Sequence, residues 1–318
     1  QLRLADRPGR QKQPRLKAAS RVGSVGLKHQ CSGDYYLIPS KLIIMNRILR
    51  GVVKFRQTVR KELTKQFDDV GDHPKPMAVM FTCMDSRMLP TRFTQSNVGD
   101  MFVVRNAGNM IPDAPHYGTS SDISVTTEPA ALELAITRGG IRHIIVCGHS
   151  DCKAMNLLHS LHQCPKNFDI ESPMDHWVRR NGFRSMKRLN ERLHKGGTVL
   201  KFGTKIAPSQ DFEAIVDPLD KLPVQDKLSQ INVLQQLENI ASHEFLKEHF
   251  ESGNLFVHGM WFDIYNGDDY LFSRDKKRFV LIDEETVSDL MAELEHRCGR
   301  PSSDQADETV RSAILTNP

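Results

Sequence analysis

The run HIIVCG at residues 143 to 148 constrains the fold of this 318-residue chain more than any other stretch. Its unbroken apolar character predicts a strand covered on both faces, the environment of a parallel sheet with helices above and below. Helical spacing from Ala154 to Leu161 puts a turn at Gly148 to Asp151, so strand and helix follow each other directly. The rhythm recurs upstream. Pro74 and Pro76 precede a short β-prone run at 77 to 83, MFVVRN at 101 to 106 is a second strand, and EPAALELAITRG at 128 to 139 is a helix stopped by Gly139-Gly140. Such alternation predicts an α/β fold with a mainly parallel central sheet flanked by helices. At the C-terminal end, strands at 255 to 265 and 270 to 282 flank Asn266-Gly267-Asp268-Asp269, the chemistry of an antiparallel hairpin.

Helices are also expected over 46 to 66, with one apolar stripe, over 177 to 194, and over 225 to 249, where Leu228, Ile231, Leu234, Leu237, Ile240 and Phe245 form a core-facing stripe. The stretch between the last two reads as loop. One domain over 45 to 298 accounts for these elements, and 39% hydrophobic residues suffice for its core. Residues 299 to 318 read as a polar, mobile tail. Residues 1 to 44 carry nine Lys or Arg against Asp6 and Asp34, which leaves the rest of the chain slightly acidic. That excludes an obvious electrostatic footprint for nucleic acid. The basic segment is disordered or transit-like, either a mitochondrial address or a leader outside the fold. No apolar stretch approaches the roughly 20 residues of a membrane span. Six cysteines without a secretory signal point to a reducing, intracellular compartment, mitochondrial or cytoplasmic, where cysteine spacing is read for metal or catalysis.

Two segments then converge. In a parallel sheet both carboxyl ends face the same side, so Cys83 at the end of one strand can meet His149 and Cys152 after another. His149 ends its strand and Cys152, three residues on, opens a helix whose amino terminus favours a thiolate. Two thiolates and an imidazole suit Zn²⁺, and three protein ligands leave a position open, the mark of a catalytic site. Cys147, inside the strand, reads as a small buried hydrophobe. Asp85 could close the site as a fourth ligand. Arg87 offers the competing partner: a bidentate fork would hold Asp85 off the metal, free to accept a hydrogen bond from metal-bound water or hydroxide. Zinc makes such a hydroxide nucleophile near neutral pH, and two thiolates shift that toward the alkaline side.

CMDSR and GHSDC, in this order and on these elements, resemble the β-class carbonic anhydrases. VVRNAGNMIP, EPAALELA, HIIVCGHSDCKAMNLL, QDKLSQINVLQQLENIAS and WFDIYNGDDYLFS are similar to animal members, extending the resemblance over roughly Met45 to Asp283. It implies zinc-dependent reversible hydration of carbon dioxide to bicarbonate and a proton, with zinc-bound hydroxide as nucleophile and a homodimer, possibly a tetramer, as the assembly. Cys83, His149 and Cys152 match the zinc ligands, and Asp85 and Arg87 match the catalytic dyad. Phe102 matches an apolar pocket residue, and Glu133 falls where members often have Glu. Two positions depart from the plant-type pattern. Pro74 replaces a substrate-binding Gln, and Leu134 replaces a Tyr.

Competing readings are weaker. A hydrolase acting on COS or CS₂ would share every zinc-site residue, whereas a redox pair of Cys83 and Cys152 leaves His149, Asp85 and Arg87 unexplained. His159 and His162 read first as a solvated helix face and second as proton shuttles; His116 in its polar loop reads the same way. Arg105 and Asn106 could reach the site or hold loop backbone. Glu128 reads as a helix start, and Trp261, Phe262 and Tyr265 as core or dimer interface.

Overall fold

Apolar sequence is matched by burial on both faces in the central strands. Strand β1 (Ala78–Cys83) is buried from Val79 onward, and β3 (His143–His149) buries Ile144 and every residue from Val146 to its end. The computed structural model describes residues 40–72, 74–114, 126–194 and 199–299. Strand β1 lies between β2 (Met101–Asn106) and β3, parallel to both, and β3 pairs in parallel with β6 (Phe256–Asp263). Antiparallel β7 (Asp268–Ser273) and β8 (Arg278–Leu281) complete a six-stranded sheet in the order β2-β1-β3-β6-β7-β8. The expected mainly parallel sheet with a C-terminal antiparallel element is therefore present.

The chain divides into two units, residues 1–59 and 60–318. In the first, helix α1 (Ser40–Thr58) begins inside the segment read as a leader, and its Ile48, Leu49, Val52 and Val53 stay exposed. The second opens with α2 (Arg60–Asp72), so the expected helix over 46 to 66 is two helices. A single turn, α3 (Pro90–Phe93), follows β1. Helix α4 (Thr127–Leu132) continues with π-type bonding over Glu133–Arg138 before Gly139 ends it. Helices α5 (Lys153–Gln163) and α6 (Pro173–His194) follow.

Three further expectations are corrected. The stretch read as loop holds a hairpin of β4 (Leu200–Phe202) and β5 (Phe212–Ala214), with Phe202 stacked on Phe212 at 4.8 Å; strands of three residues carry no readable period. The run 270 to 282 is two strands, because Ser273 Oγ accepts the Lys276 N–H at 2.9 Å and Lys277 turns with φ 54°. Helix α7 (Val224–Ala241) stops short of 249, where α8 (Lys247–Glu251) is separate, and Phe245 is exposed beyond it. A last helix, α9 (Val287–Cys298), stands where none was expected.

Helix α7 packs on β3 and β6, and α5 and α6 pack on α7. It is buried all round, including its amides. Those amides are satisfied by the loop after β2: Gln236 Oε1 accepts from Ile111 N at 2.7 Å, Asn239 Nδ2 donates to Ile111 O at 2.8 Å, and Asn232 Nδ2 donates to Gly108 O at 2.9 Å. Gly148 permits the close approach, since a Cβ there would lie 2.5 Å from Val233 Cγ2. No described helix is long and apolar enough to cross a membrane. Most of the basic segment, the tail beyond 299, and His116 lie outside the described residues.

Candidate active site

The parallel register of β1 and β3 sets Thr82 opposite Cys147, so Cys83 and His149 emerge at the same sheet end. Thr82 Oγ donates to Cys147 O at 3.1 Å and ties the two strands there. His149 is fixed from behind: Ser229 Oγ on α7 donates to its carbonyl at 2.7 Å, and Trp261 Nε1 donates to Ser229 Oγ at 3.1 Å. The next residue, Ser150, accepts the Ile264 N–H and donates to Asp263 Oδ1, so the turn carrying Cys152 is clamped to the end of β6.

One donor atom from each of Cys83, His149 and Cys152 lies within 4.8 Å of the others, and all three residues are buried. His149 Nδ1 sits 2.8 Å from Ser150 O, which can only accept, so Nδ1 carries the proton and Nε2 keeps its lone pair. That Nε2 is buried without a protein partner. The two sulfurs stand 3.9 Å apart. Two thiolates on one zinc at about 2.3 Å each would span about 3.8 Å, so the donor set fits that ion in kind and spacing. The Cys152 side chain pulls the Cys83 thiol far down against its burial, while Cys152 is pushed up; one thiol hydrogen-bonds the other's thiolate. Cys147, held up by burial, stays a neutral thiol.

Beside this group Arg87 forks onto Asp85. Nε donates to Oδ1 at 2.9 Å and NH2 to Oδ2 at 2.7 Å, and the Arg87 backbone N–H adds a third bond at 2.9 Å. The hydrogen bonds from Arg87 hold the Asp85 carboxyl at about 2, against a smaller opposing effect of burial. Asp85 is not among the converging donors, so the closed alternative, with Asp85 as a fourth ligand, is not the arrangement seen.

Two further residues act here: Asp151, which sequence reasoning did not assign, and Arg105, which it read as able to reach the site or hold loop backbone. Asp151 accepts from Arg87 NH1 at 3.0 Å and anchors the fork's far side. Its signal was its place between His149 and Cys152, and it sits at φ 52° with its own N–H held by Asp226 Oδ1. Arg105 donates to Cys83 O at 3.2 Å and to Asp85 O at 2.8 Å, bracing the loop that carries the dyad. Asn106 holds loop backbone, as one of its two readings had it, but also grips buried Glu128 at 2.7 Å. Glu128 is thus more than a helix start.

Other expected residues make contacts of their own. Glu133 pairs with Arg138 at 2.7 Å. Phe102 is 40% exposed on β2, opposite Val79. His162 contacts Asn190 at 3.2 Å and His159 lies along α5 beside Gln163. Trp261 is core, while Tyr265 is exposed.

A carbonic anhydrase family model matches residues 78–268, from β1 into β7. Beta carbonic anhydrase 1 of Caenorhabditis elegans is 74% identical over 253 residues, covering 80% of this chain and 94% of that protein. Its namesake in Caenorhabditis briggsae is 65% identical over 268 residues, covering 84% and 99%. Among solved structures, the β-carbonic anhydrase CcaA superposes with a TM-score of 0.59 at 26% identity, covering 76% of this chain and 93% of that one. A family match across the sheet and this identity over nearly the full length of two relatives mean that the chain belongs to the β-class carbonic anhydrases, of the animal type.

Proposed function

We propose that the chain catalyses the reversible hydration of CO₂ to bicarbonate and a proton, with Zn²⁺ held by Cys83, His149 and Cys152. The observation that carries this reading is the unpartnered His149 Nε2 buried against two thiols, beside a carboxylate engaged by its own arginine. Bound there, Zn²⁺ supplies the Lewis acidity that makes water nucleophilic near neutral pH. The chain's own residues do the rest. Asp85, ionised down to about pH 2, acts only as an acceptor and orients the attacking water through its proton. Arg87 occupies both Asp85 oxygens, which keeps them from completing the ligand set, and Asp151 holds Arg87 in that pose. Two thiolates cancel the charge of a divalent ion, so activation is weaker than with neutral ligands and activity rises through mildly alkaline pH.

A homodimer and a mitochondrial address belong to the same proposal. Support for the first is the open sheet edge at β2, where Phe102 and Val103 are exposed; support for the second is only the basic composition of residues 1–44. Cys83→Ser and His149→Ala should lose zinc and CO₂ hydration together, while Asp85→Asn should keep zinc and lose about 10²-fold or more in kcat/KM. Elemental analysis beside stopped-flow rates reads both. Full activity in Asp85→Asn would reject its assigned role, and faster turnover of CS₂ than CO₂ would favour the hydrolase.

A further inference from the structure

Strand β3 carries a histidine at each end. His149 serves the site just described; His143 opens the strand at the opposite end of the sheet, where the CO₂ chemistry does not reach. Two residues past the partner of His143 on β6 stands His258. The two rings stack at 5.3 Å, 24° from coplanar, with His143 Nδ1 and His258 Nε2 3.1 Å apart. Cys298, the last residue of α9, brings its thiol to the same place. One donor atom from each of these three residues lies within 4.8 Å of the others, the same convergence that Cys83, His149 and Cys152 show.

We propose that His143, His258 and Cys298 form a second transition-metal site, of the zinc class, which fastens α9 to the amino ends of β3 and β6. Two imidazoles and a thiolate are a borderline-soft donor set that suits Zn²⁺ and disfavours Mg²⁺ or Ca²⁺. Two nitrogens bound to one zinc at about 2.0 Å in tetrahedral geometry stand about 3.3 Å apart, close to the observed 3.1 Å spacing. The proton shared between the rings moves to the far nitrogen of the ring that carried it, so that each ring binds through a free lone pair, and binding releases the thiol proton. Three protein ligands leave one position for water.

The surroundings are cationic. Arg274 and Arg297 face His258, Arg142 faces His143, and Arg142 and Arg297 face Cys298. Burial keeps His258 neutral and pushes the Cys298 thiol up, and these two arginines oppose the latter shift. The same positive field penalises a divalent cation, and a thiolate on Cys298 offsets part of that penalty. Without a metal, the cluster is a histidine pair sharing one proton beside a thiol, an arrangement that needs no ion.

Zinc content after equilibrium dialysis separates these two states. The full-length wild type is compared with Cys298→Ser, at a half-buried helix end, and with His143→Gln; CO₂ hydration serves as the check on folding. The wild type should hold one equivalent more zinc than either variant, all three should hydrate CO₂ at rates within twofold, and added zinc should raise the wild-type Tm more than that of either variant. Because the result is a difference in zinc content, it stands whether or not the first site holds zinc. Equal zinc in wild type and Cys298→Ser would overturn the proposal, as would loss of the extra equivalent in Cys298→Ser but not in His143→Gln.

Discussion

Arg87 serves two carboxylates with one guanidinium: Asp85 takes Nε and NH2, and Asp151 takes NH1. A lysine in its place is a point charge that cannot fork. Arg87→Lys should therefore release Asp85 toward the metal and lower kcat/KM by about tenfold or more with zinc content unchanged; a rate equal to the parent would show that the fork is ornamental. The fork also has an acid limit. Because Arg87 lowers the Asp85 carboxyl from its ordinary 3.8 to about 2, the pair's contribution to stability is complete above about pH 4 and is lost as pH falls through about 2. The rise of activity on the alkaline side thus belongs to another group. Cys83, Asp85, Arg87, His149 and Cys152 were legible because strand ends deliver them and short spacings link them. Asp151 was not, because its partners Arg87 and Asp226 depend on how the turn after β3 comes into register with β1 and α7.

Helix α7 holds the site from behind. It seats against β3 only because Gly148 has no side chain to meet Val233. Gly148→Ala should cost about 1–3 kcal/mol through overpacking. Val233→Ala removes the methyl that would clash, so in denaturant unfolding the double variant should be more stable than the two single losses added together predict. Simple additivity would mean that the close approach is not what constrains residue 148. At this scale the parallel strands were legible as short apolar runs buried on both faces, and the long helices by their repeated apolar spacing. The β4–β5 hairpin was too short to show a period. The all-round burial of α7 was hidden for a different reason. Its Asn and Gln side chains look solvent-facing until the loop after β2 satisfies them.

At the scale of the molecule, the sheet formed by the described residues ends at β2 with an apolar, partly exposed edge, and proteins cover such edges. A second copy is the proposed cover. Val103→Glu should halve the mass seen by light scattering from two chains to one, and an unchanged mass would place the interface elsewhere. The central claim concerns chemistry, and its most direct test is stopped-flow CO₂ hydration by the zinc-loaded full-length protein, scanned from neutral to alkaline pH before and after chelation. The account predicts a rate that climbs with pH, disappears when the metal is removed and returns with zinc. A chain that binds zinc at Cys83, His149 and Cys152 yet hydrates no CO₂ at any pH would contradict it.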